Sequence, residues 1–243
     1  MTALRLADLQ SRADRFLTDL AVGESRIPGA VLVTASYDAT AFSDDLFDRL
    51  DIPCPPKLYR AVARRKADFL AGRAMALAAL TCLDLPPQPV GNAANRAPIW
   101  PDGITGSLSH ARGRCACLLS RNIRLTFGVD TEAIAENRTL TAILTETLSP
   151  AERQTITQGP FPAATNATLA FSAKEALFKA LYARVGHHFG FDAAELCAAP
   201  SQGGLSLQLT TDLADGLSRG QRFDLHHSLT TTHVLTWLAA PAS

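Results

Sequence analysis

The sequence predicts an α+β fold on two observations. Short apolar, β-branched runs of strand character occur in both halves of the chain, and so do longer segments whose apolar residues recur at helical spacing. The 243 residues, 47% of them hydrophobic, are enough to bury a core as one large domain or two small ones.

The first clear element is the run Ala30-Val31-Leu32-Val33-Thr34-Ala35-Ser36, which predicts a buried strand before a polar, acidic segment near Asp38. From Tyr59 to about Leu83, Val62, Phe69, Leu70, Met75, Leu77 and Leu80 recur at helical spacing, with Arg60, Arg64, Arg65, Lys66 and Arg73 between them. One helix therefore carries much of the positive charge. Five prolines between Leu85 and Gly106 predict an irregular loop that leads into Ser107-Leu108-Ser109-His110. The runs Cys115–Ser120 and Arg124–Asp130, with a turn at Arg121-Asn122 between them, read as a hairpin whose far end delivers Asp130 and Glu132. Thr139 to Gln158 should form short helices broken at Pro150, with Ser149 as N-cap. A stronger helix is expected from about Asn166 to Val185. Alternation in Leu205–Leu209 and Thr232–Leu238, with Arg222–His226 between them, predicts an antiparallel meander.

Lys plus Arg and Asp plus Glu both total 23, so net charge favours neither nucleic acid nor a membrane as partner. Any electrostatic preference must come from local clusters. Five cysteines without a Cys-x-x-Cys pair argue against a disulfide framework or a zinc ribbon. The N-terminus lacks the apolar block of a signal peptide, and no apolar run approaches ~18 residues. A cytoplasmic, soluble protein is the expectation.

Three segments carry chemistry. In Asp130-Thr131-Glu132, an extended backbone puts both carboxylates on one face, about 6–7 Å apart. Taken alone this is an ordinary acidic strand edge; a hard divalent cation between the two would relieve their repulsion. In Phe171-Ser172-Ala173-Lys174-Glu175-Ala176-Leu177-Phe178-Lys179, Ala170, Ala173, Leu177 and Leu181 form the core stripe, and Glu175 and Lys179 share another face. Taken alone this is a surface Glu–Lys pair. Together with Asp130 and Glu132 it would complete an oxygen-rich metal site flanked by cations for a phosphate-bearing substrate. The third segment, Gly106-Ser107-Leu108-Ser109-His110, lacks the second glycine of a nucleophile elbow, which weakens a serine-hydrolase reading through Ser107 or Ser109. Its Ser-His pair can instead donate to a phosphate.

In chain order, Gly106–His110, Gly128-Val129-Asp130-Thr131-Glu132 and Phe171–Lys179 resemble the three signature blocks of 4′-phosphopantetheinyl transferases. Phe69-Leu70-Ala71-Gly72-Arg73 and Arg96-Ala97-Pro98-Ile99-Trp100-Pro101 look like the enterobactin-synthase-component branch of the larger, single-chain class. The resemblance covers about residues 60 to 182. It implies two similar α+β halves about a pseudo-two-fold axis, here residues 1–122 and 123–243. It also implies Mg2+ held by Asp130, Glu132 and Glu175, with coenzyme A as co-substrate. Arg65, Arg73, Arg96 and His110, with Ser109 nearby, would hold the coenzyme's 3′-phosphate and adenine side, while Lys174 and Lys179 would face its pyrophosphate.

By the same resemblance, a serine of an apo acyl- or peptidyl-carrier protein attacks the β-phosphorus and expels 3′,5′-adenosine diphosphate. Glu175 acts as general base, directly or through water, and Lys179 as the second catalytic residue. The resemblance further implies a monomer, with siderophore or other secondary-metabolite assembly as the pathway. One departure is the loop Gly91–Arg96, which lacks the lysine often found there, leaving Arg96 in that role. The competing reading, a non-catalytic coenzyme A or nucleotide-binding module, would use the same basic helix and Ser-His segment but would have no need of three acids.

Overall fold

A computed structural model of the chain describes residues 2–93 and 97–243. It divides into two compact units, Met1–Ile123 and Arg124–Ser243, both of which mix helices with antiparallel sheet in an α+β arrangement.

The first unit runs α1 (Thr2–Ala13), β1 (Leu17–Gly23), β2 (Ala30–Tyr37), α2 (Leu46–Arg49), α3 (Ala63–Cys82), β3 (Gly91–Asn92), β4 (Pro98–Ile99), β5 (Thr105–Ala111) and β6 (Arg114–Ser120). Four strands form a sheet in the order β1-β2-β6-β5, antiparallel throughout. Helix α3 lies across β2, β6 and β5. Its buried Leu70, Met75 and Leu80 meet Val33, Cys117 and Leu119 in one core. Arg64, Arg65 and Lys66 are crowded into its first turn, so the later turns, with Arg73 buried among them, can sink into the core.

Two expectations change here. The Ser-His segment is not a loop: Thr105–Ala111 pairs with Arg114–Ser120 along its whole length. Gly106 permits the close pairing, since a Cβ there would overlap the Leu118 carbonyl and the Leu119 side chain. Nor do the runs on either side of Arg121-Asn122 form a hairpin. Strand β6 already has β2 on one edge and β5 on the other, so both its hydrogen-bonding edges are taken and the next strand must join a different sheet. The true hairpin is β5–β6, which turns through Arg112 (φ 42°) and Gly113 (φ 87°). The first 23 residues, which gave little signal, hold α1 and β1.

The second unit begins with β7 (Leu125–Ala133), then α4 (Asn137–Ala142), which runs on into a π-turn at Ile143–Thr147. Next come α5 (Pro150–Ile156), α6 (Ala163–Val185), β8 (Ala194–Leu196), β9 (Leu205–Leu209), β10 (Arg222–Leu229) and β11 (His233–Pro241). The sheet order is β7-β11-β10-β9-β8, all antiparallel. The expected meander is thus present, extended by β8 at one edge and β7 at the other. Helix α5 starts as the sequence predicts: the Ser149 hydroxyl accepts from the Glu152 N–H at 3.2 Å, and Glu152 accepts from the Ser149 N–H at 2.9 Å. Helix α6 ends at Gly186, whose φ of 74° suits glycine and lets its N–H reach the Tyr182 carbonyl.

Alanines at 167, 170, 173, 176 and 180, all fully buried, let α6 approach β7 and β11 closely. Leu177, Leu181, Leu207 and Leu238 fill the core beside them. Truncating Leu177 to Ala would cost about 2–5 kcal/mol.

Candidate functional site

In the second unit, strand and helix meet through a glycine. A Cβ on Gly128 would overlap the Ala176 carbonyl oxygen, so only glycine allows β7 to pass this close to α6. Asp130 lies two residues further along the same face of the strand, and Ser172 and Lys179 lie one turn before and one turn after the Gly128 contact on α6. The convergence follows directly. The Ser172 hydroxyl donates to Asp130 Oδ2 at 2.8 Å, and the Lys179 ammonium donates to Asp130 Oδ1 at 2.7 Å and to the Val129 carbonyl at 3.1 Å. Thr236, paired with Asp130 across the sheet, completes the group, with its hydroxyl 2.8 Å from that of Ser172.

Asp130 is only 3% exposed. Glu175, on the same stripe of α6, has its carboxyl raised above the ordinary range first by burial and then by the charge of Asp130, with Lys179 and His188 opposing. Glu132 is partly buried on the Asp130 face of β7 and pairs with Val234. The site therefore holds a carboxylate excess built from oxygen donors. Among the described residues no group of three or more His, Cys, Asp or Glu side chains is assembled closely enough to hold a metal ion.

Lys174 is not part of this group, contrary to the expectation that it faces a pyrophosphate. One position before Glu175, it points about 100° around the helix. Its ammonium donates to Glu152 Oε2 at 2.9 Å and to the Thr147 and Phe191 carbonyls at 3.0 Å each. All three protons are used inside the protein, so none remains for a ligand.

The first unit contains a cleft of about 490 Å³ whose lining includes Lys57, Arg65, Asp68, Phe69, Arg73, Asn92 and His110. Arg65 and His110 are exposed. Arg73 is 5% exposed, and burial lowers its affinity for its proton. Its guanidinium stacks 5.0 Å from the Phe69 ring centroid and donates to the Gly91 carbonyl and to Asn92 Oδ1. Its Nε has no partner among the described residues, and no carboxylate there forms an ion pair with it. A buried cation that lacks a counter-charge and retains an open donor is suited to an anionic ligand. Ser109 is buried on the opposite face of β5 from His110 and does not line this cleft; strand alternation is the reason. Arg96 lies outside the described residues.

Comparison with known proteins connects these features. Residues 55–120 match the sequence profile described as 4′-phosphopantetheinyl transferase N-terminal domain, and residues 126–234 match that of the 4′-phosphopantetheinyl transferase superfamily. Enterobactin synthase component D of Salmonella typhi is 36% identical over 168 residues, 69% of each chain. The 4′-phosphopantetheinyl transferase Svp of Streptomyces mobaraensis is 34% identical over 187 residues, 74% of this chain and 75% of that one. The transferase PptT of Mycobacterium tuberculosis is 34% identical over 178 residues, 68% of this chain and 76% of its own. The chain belongs to the 4′-phosphopantetheinyl transferase superfamily.

This transferase is therefore an enzyme that moves the phosphopantetheine arm of coenzyme A to a carrier protein, and the non-catalytic binding module is set aside. Buried Ser107 and Ser109 likewise make poor hydrolase nucleophiles. Among the described residues no helix is long and apolar enough to cross a membrane.

Several residues at these sites carried no sequence signal of their own. Ser172 sits inside the third signature block, but only the close approach at Gly128 gives it a task. Asn92 lies in a loop notable mainly for its prolines. His188 lines a small cleft of about 160 Å³ beside Glu175 and Phe178, brought there by the turn after Gly186 and not by any local pattern.

Proposed function

We propose that this transferase uses magnesium held by Asp130, Glu132 and Glu175, and that Arg65, Arg73, His110 and, from its motif, Arg96 bind the 3′-phosphate side of coenzyme A. The observation that carries the metal reading is the pairing of deeply buried Asp130 with Glu175, whose carboxyl rises through burial and through the charge of its neighbour. A hard, oxygen-seeking cation relieves both penalties, and the donor set is all carboxylate, the type magnesium prefers. Magnesium, when bound, supplies positive charge against the pyrophosphate.

The remaining work falls to side chains. Ser172 fixes the Asp130 carboxylate, and Lys179 offers its partly exposed ammonium to the phosphate oxygens. The carrier serine forms a new bond to the β-phosphorus as the bond to the bridging oxygen breaks and 3′,5′-adenosine diphosphate leaves. Glu175 takes the serine proton, directly or through water. At the other end of the coenzyme, the buried charge of Arg73, which no carboxylate among the described residues pairs, is the feature that supports phosphate binding. Likeness to enterobactin synthase component D supports a siderophore carrier as acceptor, with the enzyme working as a cytoplasmic monomer.

Mass spectrometry of an apo-carrier incubated with coenzyme A tests the metal assignment. Wild type should add the phosphopantetheine mass only when a divalent cation is present, and Asp130→Asn or Glu175→Gln should lose on the order of 10²-fold or more in rate while staying folded. Full modification by Asp130→Asn in the presence of chelator would sink the assignment.

A further inference from the structure

Asp68 is out of place in a basic cleft. It shares a lining with Lys57, Arg65, Arg73 and His110, yet none of the ion pairs among the described residues includes it. Among the described residues its side chain takes one hydrogen bond, from the Tyr37 hydroxyl to Oδ1 at 2.7 Å. Tyr37 is itself held firmly. It is 6% exposed, its N–H donates to the Gly113 carbonyl at 2.8 Å, and its ring lies 6.1 Å from that of Phe16. One carboxylate oxygen is thus anchored by a rigid neutral donor, and the other has no partner among the described residues.

A carboxylate in a phosphate-binding cleft repels the ligand's phosphate. Asp68 also borders a neighbouring cleft with Tyr37, Arg64 and Arg112; within the basic cleft it can serve by reading a part of the ligand that is not anionic. An acceptor-only group reads an O–H or an N–H donor, and the adenosine of coenzyme A offers two neutral ones: the ribose 2′-hydroxyl, on the carbon next to the one bearing the 3′-phosphate, and the adenine amino group. Helix geometry supports the pairing, because Asp68 lies one turn from Arg65 and between it and Arg73 along α3. We propose that Asp68 is a specificity-determining residue that accepts a hydrogen bond from a neutral donor of the coenzyme's adenosine, with Tyr37 as its positioning residue. The proposal rests on the reading of this cleft as the 3′-phosphate site.

The test compares kcat/KM for coenzyme A, its 2′-deoxy analogue, its inosine analogue and 3′-dephospho-coenzyme A, each with wild type, Asp68→Ala, Tyr37→Phe and Arg73→Ala. Wild type should reject one of the first two analogues by roughly 10- to 100-fold, and which one identifies the donor. Asp68→Ala should abolish that rejection. Tyr37→Phe should weaken it while keeping the preference for the 3′-phosphate, a pattern that a merely structural role would not give. These are ratios within one enzyme, so general loss of folded protein cancels. Wild type that accepts both analogues like coenzyme A, or Asp68→Ala that still rejects them fully, overturns the proposal. If Arg73→Ala keeps the full preference over 3′-dephospho-coenzyme A, the cleft reading falls and the proposal with it. If Arg73→Ala loses that preference while Asp68→Ala changes nothing, only the role of Asp68 is wrong.

Discussion

Lys174 and Glu152 form an ion pair with Nζ 2.9 Å from Oε2, each side chain 3% exposed. Glu152 also accepts from the Leu196 N–H at 3.0 Å and caps α5 through Ser149. One carboxylate thereby ties α5, α6 and β8 together. Removing one partner strands a buried charge, so Lys174→Ala should cost about 3–5 kcal/mol, measured by urea unfolding. Glu152→Leu combined with Lys174→Met should cost less than Lys174→Ala alone, because neither charge is then left unpaired. A Lys174→Ala enzyme of wild-type stability would show that the pair contributes nothing to the fold.

Ser172 is expected to act on metal affinity. It holds Asp130 Oδ2, and loss of a hydrogen bond that orients a ligand typically weakens a metal site by about 10–100-fold. In Ser172→Ala the magnesium concentration for half-maximal transfer should rise by that order, while the maximal rate at saturating magnesium largely returns. A reduced maximal rate with an unchanged magnesium requirement would count against this role.

Gly128→Ala is expected to separate strand from helix. The added Cβ has no room beside the Ala176 carbonyl, and backbone cannot yield as a flexible side chain can. A stability loss of about 1–3 kcal/mol is expected. A larger loss of transfer should accompany it, since β7 carries Asp130 and α6 carries Glu175. Equal thermal midpoints for variant and wild type would contradict the close packing.

Much of this was legible because it depends on short-range pattern. Leu205–Leu209 alternates cleanly and is a strand of those bounds. Ser149-Pro150-Ala151-Glu152 spells a helix start, and Asp130 with Glu132 reads as two acids on one face of a strand. Strand pairing was not legible in the same way: two apolar runs around Arg121-Asn122 look like a hairpin, but β2, far away in sequence, occupies the edge that a hairpin would need. Lys174 misled for a related reason. Its sequence neighbours are site residues, but the burial that turns it inward comes from Glu152 and the Phe191 backbone. Asp68 and Tyr37 meet across 31 residues, and no local spacing encodes such a contact.

Glu175 makes stability depend on pH when no metal is present. Its folded carboxyl is raised above the value of 4.5 ordinary for glutamate, so the folded state binds the proton more tightly than the unfolded chain. That stabilisation is complete below the unfolded value and is lost as pH rises through the folded one. Metal-free wild type should therefore lose stability, relative to Glu175→Gln, from about pH 4.5 upward. Excess magnesium should reverse the trend by favouring the ionised form. Parallel stability curves for the two proteins, measured by denaturant unfolding across this range, would show that the carboxyl titrates normally.

Arg73 and His110 should read the 3′-phosphate of coenzyme A through charge-assisted hydrogen bonds. The planar guanidinium can serve two phosphate oxygens, and its Nε lacks a partner among the described residues, whereas histidine adds one donor and gains charge only on protonation. The 3′-phosphate stays on the leaving product and does not react, so the energy of these contacts should appear mainly as substrate binding. A loss of roughly 1.5–3 kcal/mol per charged hydrogen bond is expected, larger for Arg73→Ala than for His110→Ala because the buried cation has no counter-charge among the described residues. Wild type should prefer coenzyme A over 3′-dephospho-coenzyme A, and each variant should shrink that preference by raising KM for coenzyme A while leaving the dephospho substrate nearly unaffected. A variant that slows both substrates equally has lost fold or chemistry instead of recognition. If both variants keep the full preference, the 3′-phosphate is held elsewhere, and the open donor of Arg73 serves some other part of the coenzyme.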